Sequence, residues 1–136
     1  MPTWSKAVLL AQAVILLPIG AALFVAPERA DSLWPWTLTT LTGRAVGAWL
    51  LGIGVGLVHA TIEGDLRRTR PGLTAYAVLG AFQLLAIARY PGDVDWGAVK
   101  SWVYLAFVVS VFVAGVLGLA GAARAERSPT GQAFRS

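Results

Sequence analysis

The sequence predicts an all-α protein, a transmembrane four-helix bundle, from its apolar composition and from four long apolar segments. Hydrophobic residues make up 57% of the 136 residues, and charged residues make up only 13%. Soluble domains carry roughly 25% charged residues. Because so few charges leave too little polar surface to face water on all sides, a lipid bilayer is the solvent that the composition favours.

The apolar segments divide the chain into one domain, residues 1–125, followed by a tail of residues 126–136. The four helices are expected at about residues 5–25, 40–63, 71–90 and 97–123. Each segment is close to the roughly 20 residues that a helix needs to cross the hydrocarbon layer. We expect a short interfacial helix in the first outer loop, and we expect the polar tail to be disordered and cytoplasmic.

The distribution of basic residues predicts the orientation of the bundle. Seven Lys and Arg residues fall on the side of both termini, and four fall on the other side. The seven are Lys6, Arg67, Arg68, Arg70, Arg124, Arg127 and Arg135. Since basic residues are enriched in cytoplasmic loops, the sequence predicts a multi-pass protein of the plasma membrane with both termini in the cytoplasm.

Small residues recur every fourth position on two of the predicted helices. They are Ala48, Gly52, Gly56 and Ala60 on the second helix, and Ala114 and Gly118 on the fourth. Small side chains let helix backbones approach closely in lipid. We therefore expect the small face of the second helix, which also carries His59 and Glu63, to contact another helix, either within the bundle or in a homo-oligomer.

Four polar residues lie within or at the end of the apolar segments. Gln12 and Gln83 are near the middle of their helices, where an amide is expected to form an interhelical hydrogen bond. His59 precedes Glu63 by one helical turn, and it is interpreted either as a hydrogen-bonded group near the inner interface or as a proton relay or haem ligand. Because the chain has one His and no Cys, we expect no metal site and no cofactor.

A second group of candidate residues is expected together at the outer face. The group comprises Arg44, Arg89, Asp95, Trp36 and Trp96. A guanidinium presents a planar fork of donors to a phosphate or carboxylate, so these residues are candidates for binding a ligand or a lipid head group. The alternative is that both arginines extend to the interface and pair with acidic residues of the loops.

Residues 33–39 (LWPWTLT) and 41–50 (LTGRAVGAWL) resemble a recurring pattern in known membrane proteins. The pattern is found in small, uncharacterised four-span membrane proteins of high-GC actinobacteria, and the resemblance covers residues 20–110. It implies a four-span membrane protein and brings no activity with it.

Three functions remain open from the sequence. The favoured one is a non-enzymatic accessory or structural bundle that packs with itself, with a partner helix or with lipid. The alternatives are a small oligomeric transporter or channel, motivated by Gln12, Gln83 and His59, and an outer-leaflet enzyme using Arg44, Arg89 and Asp95. No HExxH, GxSxG or P-loop pattern is present, so no catalytic residue is predicted. Nucleic acid is not an expected partner, because no basic stripe is interleaved with aromatic residues.

Overall fold

The computed structural model describes residues 1–30, 32 and 34–127, and within them all regular structure is helical. The elements in chain order are α1 (Thr3–Val25), α2 (Pro27–Ala30), α3 (Thr40–Glu63), α4 (Arg70–Arg89), a 3-10 turn (Pro91–Asp93) and α5 (Val99–Arg127). Four of them, α1, α3, α4 and α5, are long and apolar enough to cross a membrane. The predicted all-α class with four apolar helices is confirmed.

The helix bounds agree with the predicted segments to within two residues, except at the end of α5. Helix α3 has the predicted bounds, whereas α5 continues to Arg127, four residues beyond the predicted end at residue 123. Helix α5 therefore includes Glu126 and Arg127, and residues 128–136, the rest of the predicted tail, lie outside the described residues. A short helix, α2, is present in the first loop, and its position at a membrane interface remains a prediction.

Both ends of α3 are defined by local hydrogen bonds. The hydroxyl of Thr39 accepts a bond from the backbone N–H of Thr42 at 3.2 Å, which satisfies one free donor of the first turn. Gly64 ends the helix in the left-handed conformation with φ 66°, which a side chain would disfavour. The amino group of Met1 donates to the carbonyl of Gly64 at 2.7 Å, so a positive charge lies at the C-terminus of the helix.

The helices pack as two pairs, α1 with α3 and α4 with α5, and glycines lie at the closest approaches. A Cβ atom added to Gly47 of α3 would lie 2.6 Å from the backbone nitrogen of Phe24 in α1. A Cβ added to Gly115 of α5 would lie 2.6 Å from the backbone nitrogen of Ala77 in α4. Because the backbones are in contact at these points, only glycine fits between them.

The small face of α3 that the sequence indicates is not the face that packs. A Cβ at Gly52 or Gly56 would meet no atom within 4 Å, and Ala48 is exposed. Helix α3 packs on α1 and α2 through three other glycines, Gly43, Gly47 and Gly54. Among the described residues, the expected close contact of this face with another helix is therefore not found at Ala48, Gly52 or Gly56, and a contact between copies stays a prediction.

On α5 the predicted small residues lie toward α4 and the centre of the bundle. A Cβ at Gly118 would lie 2.8 Å from a methyl group of Leu73 in α4. Ala114 packs against the buried cluster that contains Leu9, Leu16 and Val111. These small side chains allow α5 to approach its neighbours closely.

The two ends of the bundle differ in the segments that they carry. The proximal end carries Met1, the connection between α3 and α4, and the last turn of α5, and the distal end carries the other two connections. At the proximal end, the guanidinium of Arg70 forms an ion pair with Glu126 at 2.9 Å, and Arg67 donates to the carbonyl of Ala125. These bonds join the last turn of α5 to the start of α4.

Candidate functional site

A buried amide joins three helices in the middle of the bundle. Gln12 of α1 is only 4% exposed, and its amide nitrogen donates to the hydroxyl of Ser110 in α5 at 2.9 Å. Its amide oxygen accepts from the hydroxyl of Tyr76 in α4, also at 2.9 Å. Ser110 in turn donates to the carbonyl of Phe107 at 2.6 Å. These bonds satisfy polar groups that would be costly in hydrocarbon, so the arrangement is suited to holding the two helix pairs together.

The second mid-helix amide also accepts a tyrosine hydroxyl. The hydroxyl of Tyr104 in α5 donates to the amide oxygen of Gln83 in α4 at 2.9 Å. The ring of Tyr104 has edge contacts with Trp34 and Trp36, with ring centroids 5.4 Å apart in both pairs, and the two indoles are 5.5 Å apart. The tryptophans of the first loop are thereby anchored to α5.

His59 lies on the outside of the chain rather than in a helix contact. Its side chain is 71% exposed, and its Nε2 atom is 3.7 Å from a carboxylate oxygen of Glu63. Across the described residues, no group of three or more His, Asp or Glu side chains is arranged to hold a metal ion. The pair is therefore an exposed contact along one helix, close to the proximal end.

A long groove separates α3 from α4. Its volume is about 740 Å³, and it is lined mainly by apolar side chains, including Trp49, Ile53 and Gly56 of α3 and Tyr76, Leu79 and Phe82 of α4. At the proximal end of the groove the lining includes His59 and Glu63. A concave apolar surface of this size is in the range of ligand sites, roughly 300–1,000 Å³.

The distal end holds two smaller cavities that share two residues. The first, about 310 Å³, is lined by polar and aromatic side chains, among them Trp34, Trp36, Asp93, Asp95 and Lys100. The second, about 190 Å³, shares Trp36 and Asp93 with the first and is otherwise lined largely by apolar side chains of α4 and the following turn. The loops at this end therefore form a polar cavity beside an apolar one.

The five outer-face candidates are only partly brought together. Trp36 and Asp95 line the polar distal cavity. Trp96 instead donates its indole N–H to the carbonyl of Pro91 at 2.7 Å and lies outside the lining described for that cavity. Arg44 and Arg89 are exposed on the helix surfaces and are not among the lining residues of the described cavities. The predicted role of the two arginines as a pair around one anion therefore has no cavity to support it among those described, and it stays a prediction.

Six residues of the polar cavity are not among the predicted site residues, and three of them, Trp34, Asp93 and Lys100, are aromatic or charged. Asp93 and Lys100 flank Asp95 in sequence, and Trp34 belongs to the same Trp-Pro-Trp turn as Trp36. Lys100, in the first turn of α5, donates to the carbonyl of Ser32 in the first loop at 3.2 Å, so this bond ties α5 to that loop beside the cavity. The charged residues close to Asp95 in the sequence could have indicated this site. The long-range bond from Lys100 to Ser32 could not be predicted from the sequence.

These features define a class of protein. An all-helical chain with four long apolar helices, glycine contacts between backbones and amides bonded across helices indicates a multi-pass membrane protein. No protein-family model, curated protein or solved structure matches the chain. The resemblance of residues 20–110 to four-span proteins of actinobacteria stays a prediction.

Proposed function

We propose that this chain is a non-enzymatic membrane protein that associates with a second copy of itself through α3. The observation that carries the proposal is the open space at Gly52 and Gly56, where an added Cβ would meet no atom within 4 Å. A glycine inside a helix lowers its stability by about 1 kcal/mol relative to alanine. Two such glycines on an exposed face are accounted for if another backbone approaches them closely.

The chain itself supplies an example of the contact that we propose. Inside the bundle, α1 and α3 approach closely at Gly20 and Gly47, where only glycine fits. The face of α3 with Ala48, Gly52 and Gly56 has the same small side chains at four-residue spacing. In lipid, such spacing supports close helix dimers through van der Waals contact between backbones.

A second copy is favoured over an unrelated partner because the face is complementary to itself. In a two-fold dimer the same surface is used on both subunits. Each copy presents an imidazole, His59, and a carboxylate, Glu63, on the part of α3 that lies beyond the glycines. Across a two-fold axis, an imidazole N–H of His59 in one copy can donate to the carboxylate of Glu63 in the other copy at this end of the interface.

The hydrogen bonds of the two mid-helix amides support this proposal over a transporter. Gln12 and Gln83 accept bonds from Tyr76 and Tyr104, so both amides already serve contacts between helices. The enzyme hypothesis has less support because neither Arg44 nor Arg89 is among the lining residues of the described cavity that Asp95 lines. Packing is therefore the role to which most polar and small residues contribute.

The location that we propose is the plasma membrane, with the proximal end in the cytoplasm. The support is the excess of Lys and Arg at the proximal end, where Arg67, Arg68 and Arg70 follow α3 within seven residues. Membrane lipid is then the solvent around the exposed apolar side chains, such as Trp49 and Phe82.

A cysteine placed on this face is expected to form a disulfide between two copies. The chain has no cysteine, so the single cysteine of Ala48→Cys reports on one position. With the protein in liposomes under mild oxidation, we expect a covalent dimer that is visible on a denaturing gel. In the same background Gly56→Leu is expected to lower dimerisation about tenfold, because a bulky side chain holds the backbones apart.

The matched control is Ala106→Cys, an exposed alanine at a similar depth from the distal end, on α5. It is expected to give little covalent dimer and no response to Gly56→Leu. Equal cross-linking at positions 48 and 106, or cross-linking at position 48 that is unchanged by Gly56→Leu, would refute the proposed dimer.

A further inference from the structure

The polar cavity at the distal end presents separated charges of both signs. Asp93, Asp95 and Lys100 all line it. None of the three forms an ion pair with another described residue. Two of them are held by other bonds: a carboxylate oxygen of Asp95 accepts from the backbone N–H of Gly97 at 3.1 Å, and Lys100 donates to the carbonyl of Ser32 at 3.2 Å. Two carboxylates and one ammonium group thus line the same space without an ion pair between them.

The aromatic side of the cavity favours a cationic group. Trp34 and Trp36 line it, and tryptophan is the aromatic side chain that attracts cations most strongly. An ammonium group in contact with an indole and a carboxylate gains from both, because the ring face and the carboxylate are negative. This side of the cavity is suited to an amine or to a methylated ammonium group.

The same cavity also presents a positive charge. The ammonium group of Lys100 lines it and can donate to an anionic oxygen. A ligand that brings an anionic oxygen as well as a cation is therefore favoured.

The neighbouring apolar cavity indicates that the ligand has an apolar part. It shares Trp36 and Asp93 with the polar cavity, and its lining includes Ile87 and Val94. A ligand that fills both cavities is charged at one end and apolar at the other. The ends of membrane-spanning helices lie at the level of the lipid head groups, where molecules of this kind are abundant.

We propose that the two distal cavities bind one zwitterionic phospholipid by its ammonium–phosphate head group. The ammonium group lies against Asp93, Asp95 and Trp36, and the phosphate lies toward Lys100. The first part of an acyl chain enters the apolar cavity between Ile87 and Val94. This site is separate from the dimer face of α3 and does not depend on it.

Native mass spectrometry of the detergent-purified full chain tests the proposal, with phosphatidylethanolamine and phosphatidylglycerol as equimolar probes. We expect preferential retention of phosphatidylethanolamine. The double variant Asp93→Asn/Asp95→Asn is expected to lower that preference about tenfold, because it removes the carboxylates that pair with the ammonium group. Asparagine keeps an oxygen for the N–H of Gly97, so the loop retains its bond.

The control is Glu28→Gln, which removes a negative charge from α2 at the same end of the bundle, outside the described lining of both cavities. It is expected to leave the preference unchanged. Equal retention of the two lipids by the unmodified chain, or an equal loss in the control, would overturn the proposal. Displacement of the lipid by an equal concentration of soluble phosphoethanolamine would also overturn it, because the ligand would then be a small zwitterion and not a lipid.

Discussion

Replacing Gly47 by leucine is expected to destabilise the bundle by at least about 3 kcal/mol, the upper part of the range for overpacked sites. A Cβ at this position would already lie 2.6 Å from the backbone nitrogen of Phe24 and 2.7 Å from the carbonyl oxygen of Gly20. Neither backbone atom can move aside as a flexible side chain can, so α1 and α3 must separate. The loss is measured as the shift of the unfolding midpoint when the folded protein is titrated with sodium dodecyl sulfate.

The same change at Gly56 is the matched control. Gly56 lies on the same helix and an added Cβ there meets no atom within 4 Å, so Gly56→Leu is expected to change the free energy of unfolding by less than about 1 kcal/mol. The titration is carried out where the protein is monomeric, so that loss of the proposed dimer does not contribute. Equal shifts for Gly47→Leu and Gly56→Leu would show that α1 and α3 do not approach at Gly47.

The second large effect is expected at the buried amide. Gln12→Leu keeps nearly the same volume but leaves the hydroxyl of Tyr76 without its acceptor in the middle of the bundle. Interhelical hydrogen bonds in membranes contribute on average about 0.6 kcal/mol, whereas a buried donor left unpaired costs about 1–3 kcal/mol. We therefore expect a loss of about 2 kcal/mol, set by the unpaired hydroxyl rather than by the lost bond.

The double variant Gln12→Leu/Tyr76→Phe separates these two contributions. Because it removes the donor together with its acceptor, its stability is expected to be at least about 1 kcal/mol higher than the sum of the single effects predicts. The measurement is the same detergent titration on all four members of the cycle. Strictly additive effects would contradict a direct bond between the two side chains.

The helices could be predicted from the sequence, whereas their packing faces could not. In lipid, the exposed side chains are as apolar as the buried ones, so hydrophobic periodicity does not distinguish the two faces. Small residues remained the only guide on α3, and they occur on two faces. The regular four-residue spacing indicated Gly52 and Gly56, whereas the face that packs carries Gly43, Gly47 and Gly54, which are spaced by four and seven residues.

The candidate site at the distal end was predicted in part. Asp95 and Trp36 do lie together, because the two distal loops meet. Arg44 and Arg89 were predicted from the chemistry of the guanidinium group, but each lies on an exposed helix surface. The sequence places a residue at one end of a helix, and only the packing of the helices decides the direction in which its side chain extends. The sequence therefore could not show that the polar distal cavity is lined by Asp93, Asp95 and Lys100 and by neither arginine.

The pairing of α1 with α3 and of α4 with α5 has a consequence for biosynthesis. Each pair consists of membrane-spanning helices that are consecutive along the chain, so its contacts form between neighbouring segments. Since proteins emerge from the ribosome with the N-terminal part first, the first helical hairpin can close before the second has been synthesised. The hydrogen bond that the hydroxyl of Tyr76 donates to Gln12 can then form only when the second hairpin has entered the bilayer. This bond therefore belongs to a late step of assembly, in which the two hairpins dock.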